Sequence, residues 1–312
     1  MALSPTLVDG CATSATKLIS PPGAFQVVLI QPDGYPHVAA FSEVIETVVW
    51  GLRSLGAEVT FAVNRLCVPG PTPILFGANL LQPHEVDLLP PETIIYNLEQ
   101  VSESSPWCTP HYLSALHRCR VWDYSPRNIS ALARTGIANL VHVPIGYVPQ
   151  LTRIQPAAVE DIDVLFYGSI NERRSKVITQ LRHLGLNAHA VFGVYGQARD
   201  ELISRSKLVI NVHYYETSIF ELVRVSYLLA NRKAVVAERR AGTEIVPELM
   251  GAVKFSSYDQ LAAACAELAH DDNARRNLSE RGFRIMSHRH EANYLSSAIA
   301  TSTSQRKELD DK

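Results

Sequence analysis

This chain has no apolar run long enough to cross a membrane. Hydrophobic stretches such as "FQVVLI" and "KLVINV" stop well short of the roughly 18 residues a bilayer span requires, so no integral membrane segment is expected. Net charge is also small: the formal value is -2 at pH 7, which implies no nucleic acid or other polyelectrolyte as partner. The five cysteines, Cys11, Cys67, Cys108, Cys119 and Cys265, are odd in number and scattered, without a CxxC pair. A zinc ribbon and a dithiol redox motif are therefore excluded, and the thiols read as reduced in a cytoplasmic protein. Residues 1–23 lack the basic region and apolar core of a signal peptide and read as a disordered leader. No GxGxxG follows a strand, so nothing argues for a nicotinamide cofactor. No DxD follows a strand either, and "HDD" at His270–Asp272 reads as a solvated turn. Neither a cofactor nor a metal is expected.

What is present is an alternation of short β-branched runs with segments of helical period. "AFQVVLIQPDG" reads as a buried strand and turn, "AAFSEVIETVVWGLRSLG" as a helix ending at Gly56, and "EVTFAVN" as the next strand, which together suggest a right-handed βαβ unit. The pattern continues through "PILFGA", "TIIYNLEQ", "RVWDYS" and "NLVHVPIGY", with a helix at Pro126–Thr135 capped by Ser125. Prolines then interrupt the pattern, and residues 149–160 read as a linker. From Asp161 the alternation restarts and runs to residue 286. The expected fold class is α/β, with two Rossmann-like domains at 24–148 and 161–286, parallel sheets facing a cleft, a terminal helix at 287–300 and a frayed tail at 301–312. In such sheets ligands bind outside the carboxyl ends of the strands, so functional residues are sought just after strands.

Three places qualify in the second half. "GSINERR" follows a strand: Gly168 and Ser169 let the backbone approach a ligand, and Arg173 and Arg174 carry guanidinium forks that suit a diphosphate. "FGVYG" sets Tyr195 and Gly196 in a turn where the ring could stack on a base or ribose. "KLVINVHYYETSIFELVRVSYLL" carries His213, Glu216 and Glu221 between a strand and a helix. Phe220, Val223, Tyr227 and Leu228 form the packing face of that helix. Glu221 is expected in its first turn, facing the cleft and accepting two ribose hydroxyls, although an acid there also compensates the helix dipole.

Residues Asp161 to Arg281 resemble the donor-binding domain of GT-B glycosyltransferases with a group 1 type C-terminal domain, in a spore-protein-like, CgeB-like branch. The likeness rests on a strand followed by "GSINERR" and on "RDELISRSKLVINVHYYE…FELVRVSYLLANRKAVVAE"; the first half shares architecture only. The resemblance implies that Glu221 binds the donor ribose. It also implies that Ile219 and Phe220 present backbone N–H groups to the diphosphate, that Glu216 opens a sugar-contacting loop, and that Arg173 or Arg174 neutralises phosphate. It further implies a terminal helix that crosses back to the first domain. Only four residues separate Glu216 from Glu221, closer than the paired glutamates common in retaining families, so the stereochemical outcome stays open.

The implied activity is metal-independent transfer of a sugar from a UDP- or GDP-sugar to a glycan, small-molecule or protein acceptor. A nucleotide-sugar epimerase of the same architecture and a non-catalytic nucleotide-sugar-binding protein are the alternatives. An inverting transferase needs a base near the acceptor hydroxyl. The strand-end candidates in the first domain are Glu99 in "IYNLEQ" and Asp33 and His37 in "QPDGYPH". Asp123 in "VWDYS" is a further strand-end candidate; each of the four also has an ordinary reading, Asp33 as a turn residue, His37 as a surface histidine, Glu99 as a loop charge and Asp123 as a helix-flanking cap.

Overall fold

The computed structural model of the protein describes residues 23–102, 105–214 and 219–310. The first domain contains β1 (Ala24–Leu29), α1 (Ser42–Ser54), β2 (Glu58–Val63), β3 (Thr72–Phe76), α2 (Pro83–Val86), β4 (Ile94–Asn97), α3 (Pro110–Arg118), β5 (Arg120–Asp123), α4 (Pro126–Arg134) and β6 (Leu140–His142). Its six strands pair in parallel in the order β2-β1-β3-β4-β5-β6. The second domain contains β7 (Ile162–Tyr167), α5 (Glu172–His183), β8 (Ala188–Val191), α6 (Gly196–Arg205), β9 (Ser206–Asn211), α7 (Leu222–Ala230), β10 (Ala234–Glu238), β11 (Lys254–Ser256), α8 (Leu261–His270) and α9 (Asp272–Ser287). Its sheet is parallel too, in the order β11-β10-β9-β7-β8. Strands buried on both faces need continuous apolar runs, and Val27, Val28, Ile74, Leu75, Val164, Leu165, Val209 and Ile210 are fully buried.

In each sheet the first strand lies between the second and the third, so the chain winds outward in both directions from one gap. That gap, between β1 and β3 in one sheet and between β7 and β9 in the other, is where the ends of the parallel strands open a crevice. The positions that follow β1, β4 and β5 therefore face those that follow β7 and β9.

The connection between the domains is held, not loose. Thr152 Oγ1 donates to Ala230 O at 2.9 Å, and the backbone N–H groups of Arg153 and Ile154 donate to Asn231 Oδ1 at 2.8 Å each. One asparagine side chain thus satisfies a segment whose prolines keep it out of regular structure.

After α9 the chain returns through a bridge between Tyr147 and His290 and enters α10 (Glu291–Asp310), which lies against α1. Gly51 permits the contact, since a Cβ there would lie 2.7 Å from both Glu291 Cγ and Leu295 Cδ1. The helix starts at Glu291 rather than 287, and its backbone stays helical through 301–310, where the sequence suggests a frayed tail. A second boundary also differs: α7 begins at Leu222, and Glu221 occupies its N-cap with φ -74° and ψ 62°. Glu221 is not in the first turn because its ψ is not helical; its carboxylate makes no capping hydrogen bond and pairs with Arg174 and Arg224.

Candidate functional site

A cavity of about 520 Å³ opens between the two sheets, within the size range of small-molecule sites. From the first domain it is lined by Tyr35 and His37 after β1, Leu98, Glu99 and Gln100 after β4, and Tyr124 after β5, with Trp107 at the edge. From the second domain the lining includes Gly168, Ser169, Arg174, Tyr195, Glu221 and Arg224. These are the strand ends and helix starts that the two crevices bring together.

The wall from the second domain is built around one carboxylate and two guanidinium groups. Glu221 Oε1 accepts from Arg174 Nη2 at 2.7 Å, and Glu221 Oε2 lies 2.7 Å from Arg224 Nη1. Burial alone would raise the Glu221 carboxyl, but Arg224 and then Arg174 outweigh it and hold it below its ordinary value. Arg174 is 2% exposed and stitches the crevice shut at its base, donating to Val212 O at 2.8 and 2.6 Å and to Ser169 O at 2.9 Å. Arg224 donates to Asn211 Oδ1 at 2.8 Å and is the more accessible of the two, its side chain 17% exposed against 3% for Arg174. Gly168 makes room for it. Its φ is +135°, and a Cβ there would sit 2.8 Å from Arg224 Nη2.

The facing wall holds Glu99, whose carboxyl burial raises to about 7. Asn79 Nδ2 lies 3.4 Å from Glu99 Oε1. Tyr124 is within electrostatic reach of both Glu99 and Glu221, together with Asp123, and these three carboxylates, after burial itself, raise its hydroxyl pKa. The two walls also touch directly. Deep in the cleft Arg199 donates to Glu43 Oε1 at 2.7 Å, both side chains buried. Nearer the opening His37 Nδ1 and Tyr195 Oη are 3.0 Å apart, and the His37 ring lies 5.0 Å from that of Phe192.

The structure divides the residues selected from sequence. Gly168, Ser169, Arg174, Tyr195, Glu221, Glu99 and His37 line the cleft. Arg173 does not: it pairs with the buried Glu238 at the end of β10, donating to Glu238 Oε2 at 2.6 Å, and its guanidinium lies 3.9 Å from the Tyr258 ring centre. Consecutive helical residues point about 100° apart, and Arg173 and Arg174 pair with different carboxylates, Glu238 and Glu221, although both reach carbonyls of the loop after β9, His213 and Val212. Asp33 is exposed at a turn tip, beside Gly34 with φ +72°, and is not in the lining. Gly196 opens α6 and borders a separate surface depression with Arg153 and Asp200. Ile219 and Phe220 are buried, and Phe220 packs edge-on against Phe255 at 5.4 Å. His213 is 1% exposed, its pKa is lowered by burial, and neither ring nitrogen has a hydrogen-bond partner among the described residues. Its backbone N–H is held by Glu238, and it lies behind the lining. Glu216 falls outside the described residues. Asp271 of the "HDD" turn caps α9, accepting from Ala274 N at 2.9 Å.

Several lining residues were missed. Arg224 stands three positions after Glu221, a spacing that puts both on one helix face, so a search for a cation at that distance would have found it. Nothing local marks the Glu43–Arg199 pair, whose members are 156 residues apart. Among the described residues no group of three or more His, Cys, Asp or Glu is placed to hold a metal ion, and no helix is long and apolar enough to cross a membrane.

Solved structures with this arrangement include AviGT4, a glycosyltransferase involved in avilamycin A biosynthesis, at 15% identity and a TM-score of 0.54, covering 88% of this chain and 97% of that one. Anabaena HepE in complex with UDP and glucose superposes with a TM-score of 0.60 at 11% identity, over 90% and 99% of the two chains. Sucrose-phosphate synthase from Thermosynechococcus elongatus gives 0.54 at 14%, over 92% and 100%. The fold is GT-B. In GT-B terms the first sheet is the N-terminal domain and the second the C-terminal domain, with the cleft between them. No family model matches the chain. Curated relatives include uncharacterized proteins of Acanthamoeba polyphaga mimivirus. One is 26% identical over 180 residues, 55% of this chain and 24% of the relative; another is 27% identical over 146 residues, 45% and 16%. The chain thus matches a quarter or less of the length of those two proteins.

Proposed function

We propose that the protein transfers a sugar from a nucleotide-sugar donor bound against Gly168, Ser169, Arg224 and Glu221 to an acceptor hydroxyl held on the opposite wall. The observation that carries this reading is the Glu221–Arg174–Arg224 cluster beside the Gly168 turn, in the crevice of a GT-B fold. HepE, which shares that fold, has been solved with UDP and with UDP-glucose. The donor diphosphate would meet Arg224, the accessible cation, while Arg174 orients Glu221 toward the ribose. This reading keeps Glu221, Gly168 and Ser169 as donor contacts and adds Arg224, with Tyr195 nearby; Arg174 positions Glu221, and Arg173 has a structural part.

In the transfer step the acceptor O–H proton passes to the Glu99 carboxylate as the acceptor oxygen bonds to the anomeric carbon. The bond from that carbon to the diphosphate oxygen breaks, and the electron pair leaves with the nucleoside diphosphate. Fixed guanidinium groups in a cleft that partly excludes water stabilise the charge that develops on this leaving group. On the acceptor side the lining includes Glu43 and Glu99 and no lysine or arginine, while Arg174, Arg199 and Arg224 all come from the C-terminal domain. Glu43 is already paired with Arg199, so an anionic acceptor would be desolvated beside Glu99 with no cation of its own wall among the described residues. A neutral, hydroxyl-bearing acceptor with a flat face for Trp107 or Tyr35 suits that wall, as a glycoside does.

Calorimetry with UDP and GDP tests the donor site. The wild-type protein is expected to bind one of them, and Glu221→Ala to bind it at least about tenfold more weakly, ~1.4 kcal/mol. Equal affinity in a variant that still melts cooperatively would remove Glu221 from the site.

A further inference from the structure

Below Glu99 lies a buried polar cluster that donor binding does not use. Asp123, at the end of β5, is completely buried, and so are Asn97 at the end of β4, Asn128 in the first turn of α4 and Tyr112 in α3. A buried carboxylate in a protein interior needs a reason, since it costs stability unless its oxygens are satisfied. Here Asp123 Oδ2 accepts from Asn97 Nδ2 at 2.5 Å, and Oδ1 accepts from Ser125 N at 2.7 Å and Asn128 Nδ2 at 3.2 Å. The other contacts of the two asparagines converge on one short loop. Asn97 Nδ2 donates to Glu99 O at 3.0 Å and Asn97 Oδ1 accepts from Glu99 N at 3.1 Å. Asn128 Nδ2 donates to Glu99 O at 2.8 Å, and its Oδ1 accepts from Val101 N at 2.9 Å. Tyr112 Oη completes the set by donating to Asn97 Oδ1 at 2.7 Å.

Both backbone polar groups of Glu99 are therefore held by side chains, and those side chains are oriented by Asp123. We propose that Asn97, Asn128 and Asp123 are positioning residues for Glu99, so that "NLEQ" and "DYSPRN" act as one split motif aiming its carboxylate into the cleft. This rests on reading Glu99 as the proton acceptor. The segment 98–101 forms no strand or helix, so among the described residues the cradle is what fixes the Glu99 backbone, and Asn79 at 3.4 Å is a long contact to its carboxylate. Asp123 lies beneath Glu99, Tyr112 and Tyr124 flank it from α3 and the end of β5, and Glu221 with its arginines faces it across the cleft.

The test reads Glu99 directly and needs no substrate. Protein carrying ¹³C at its glutamate carboxyls is titrated by NMR, and the resonance of Glu99 is the one absent from Glu99→Gln. In Asn128→Ala the Glu99 titration is expected to move down by about one pH unit or more, because a released loop rehydrates the carboxylate. Tyr112→Phe, which deletes one hydroxyl, should move it in the same direction by less and covers the case in which Asn128→Ala does not fold. An unmoved Glu99 titration in a folded variant that has lost melting temperature means the cluster is merely structural and overturns the proposal. UDP and GDP calorimetry on the same samples separates the two readings. Failure of the wild-type protein to bind any nucleotide removes the donor site, whereas nucleotide binding with an unmoved Glu99 removes the cradle.

Discussion

A Glu99→Gln variant is expected to lose about 10²- to 10⁴-fold in kcat while its affinity for the donor nucleotide stays the same. The range is what a positioned general base contributes, and glutamine keeps the shape of the side chain without its basicity. The pH dependence sharpens the expectation. Burial raises the Glu99 carboxyl to about 7, so the base is half protonated near neutrality and becomes competent only above that value. The wild-type kcat/KM should fall tenfold per pH unit below about 7, and the residual rate of the variant should not follow that limb. Steady-state release of nucleoside diphosphate between about pH 5 and pH 9 measures both. A loss of nucleotide binding equal to the loss of rate would assign Glu99 to the donor site instead.

The second large effect concerns stability. Glu291, the first residue of α10, is buried where the C-terminal helix meets the N-terminal domain. Its Oε2 accepts from Gly146 N at 2.6 Å, and Oε1 has no hydrogen-bond partner among the described residues. Burial raises its carboxyl to about 8, although the Gly146 N–H and then Arg289 act against the rise, and the charged form also faces Tyr96. A carboxyl whose folded value is raised binds a proton more tightly when folded than unfolded. Its protonated form supports the fold below the ordinary glutamate value, and that support drains away as pH rises toward about 8. Relative to Glu291→Gln, which stays neutral, the wild-type protein should lose on the order of 2–4 kcal/mol between about pH 5 and pH 9. Asp123, raised to about 7 by burial against the hydrogen bonds of Asn97, Ser125 and Asn128, pulls in the same direction and remains in the variant. The variant's own slope is therefore reduced, not abolished. Urea titrations at the two pH values give the difference, and parallel behaviour of the two proteins would show that Glu291 does not titrate in this range.

Local pattern carried much of the architecture. Apolar runs such as "VVLI" and "KLVIN" could only be strands buried on both faces, and their alternation with helical segments on either side of a proline-rich stretch indicated two parallel sheets. The rule that ligands sit at strand ends then placed Gly168, Arg174, Tyr195, Glu221, Glu99 and His37 near one another, and all of them line the cleft. The errors have a common cause. Arg173 and Arg174 are equivalent as letters, but one residue along a helix rotates a side chain by about 100°, and only the packed neighbours Glu238 and Tyr258 show which way Arg173 turned. Asp33 follows β1 as closely as His37 does, yet the turn at Gly34 carries it outward.

What the sequence by itself determined is therefore the fold class, the two parallel sheets and the strand ends that line the cleft, because periodicity and turn residues act over a few positions. Only the tertiary structure decided which charges pair. Glu43 meets Arg199, Asn128 meets the backbone of Glu99, and the Glu291 carboxylate meets Gly146, pairs 156, 29 and 145 residues apart in the chain. Those contacts depend on how two sheets and a returning helix dock. Docking is set by the summed fit of many apolar side chains, and no short stretch of sequence records it.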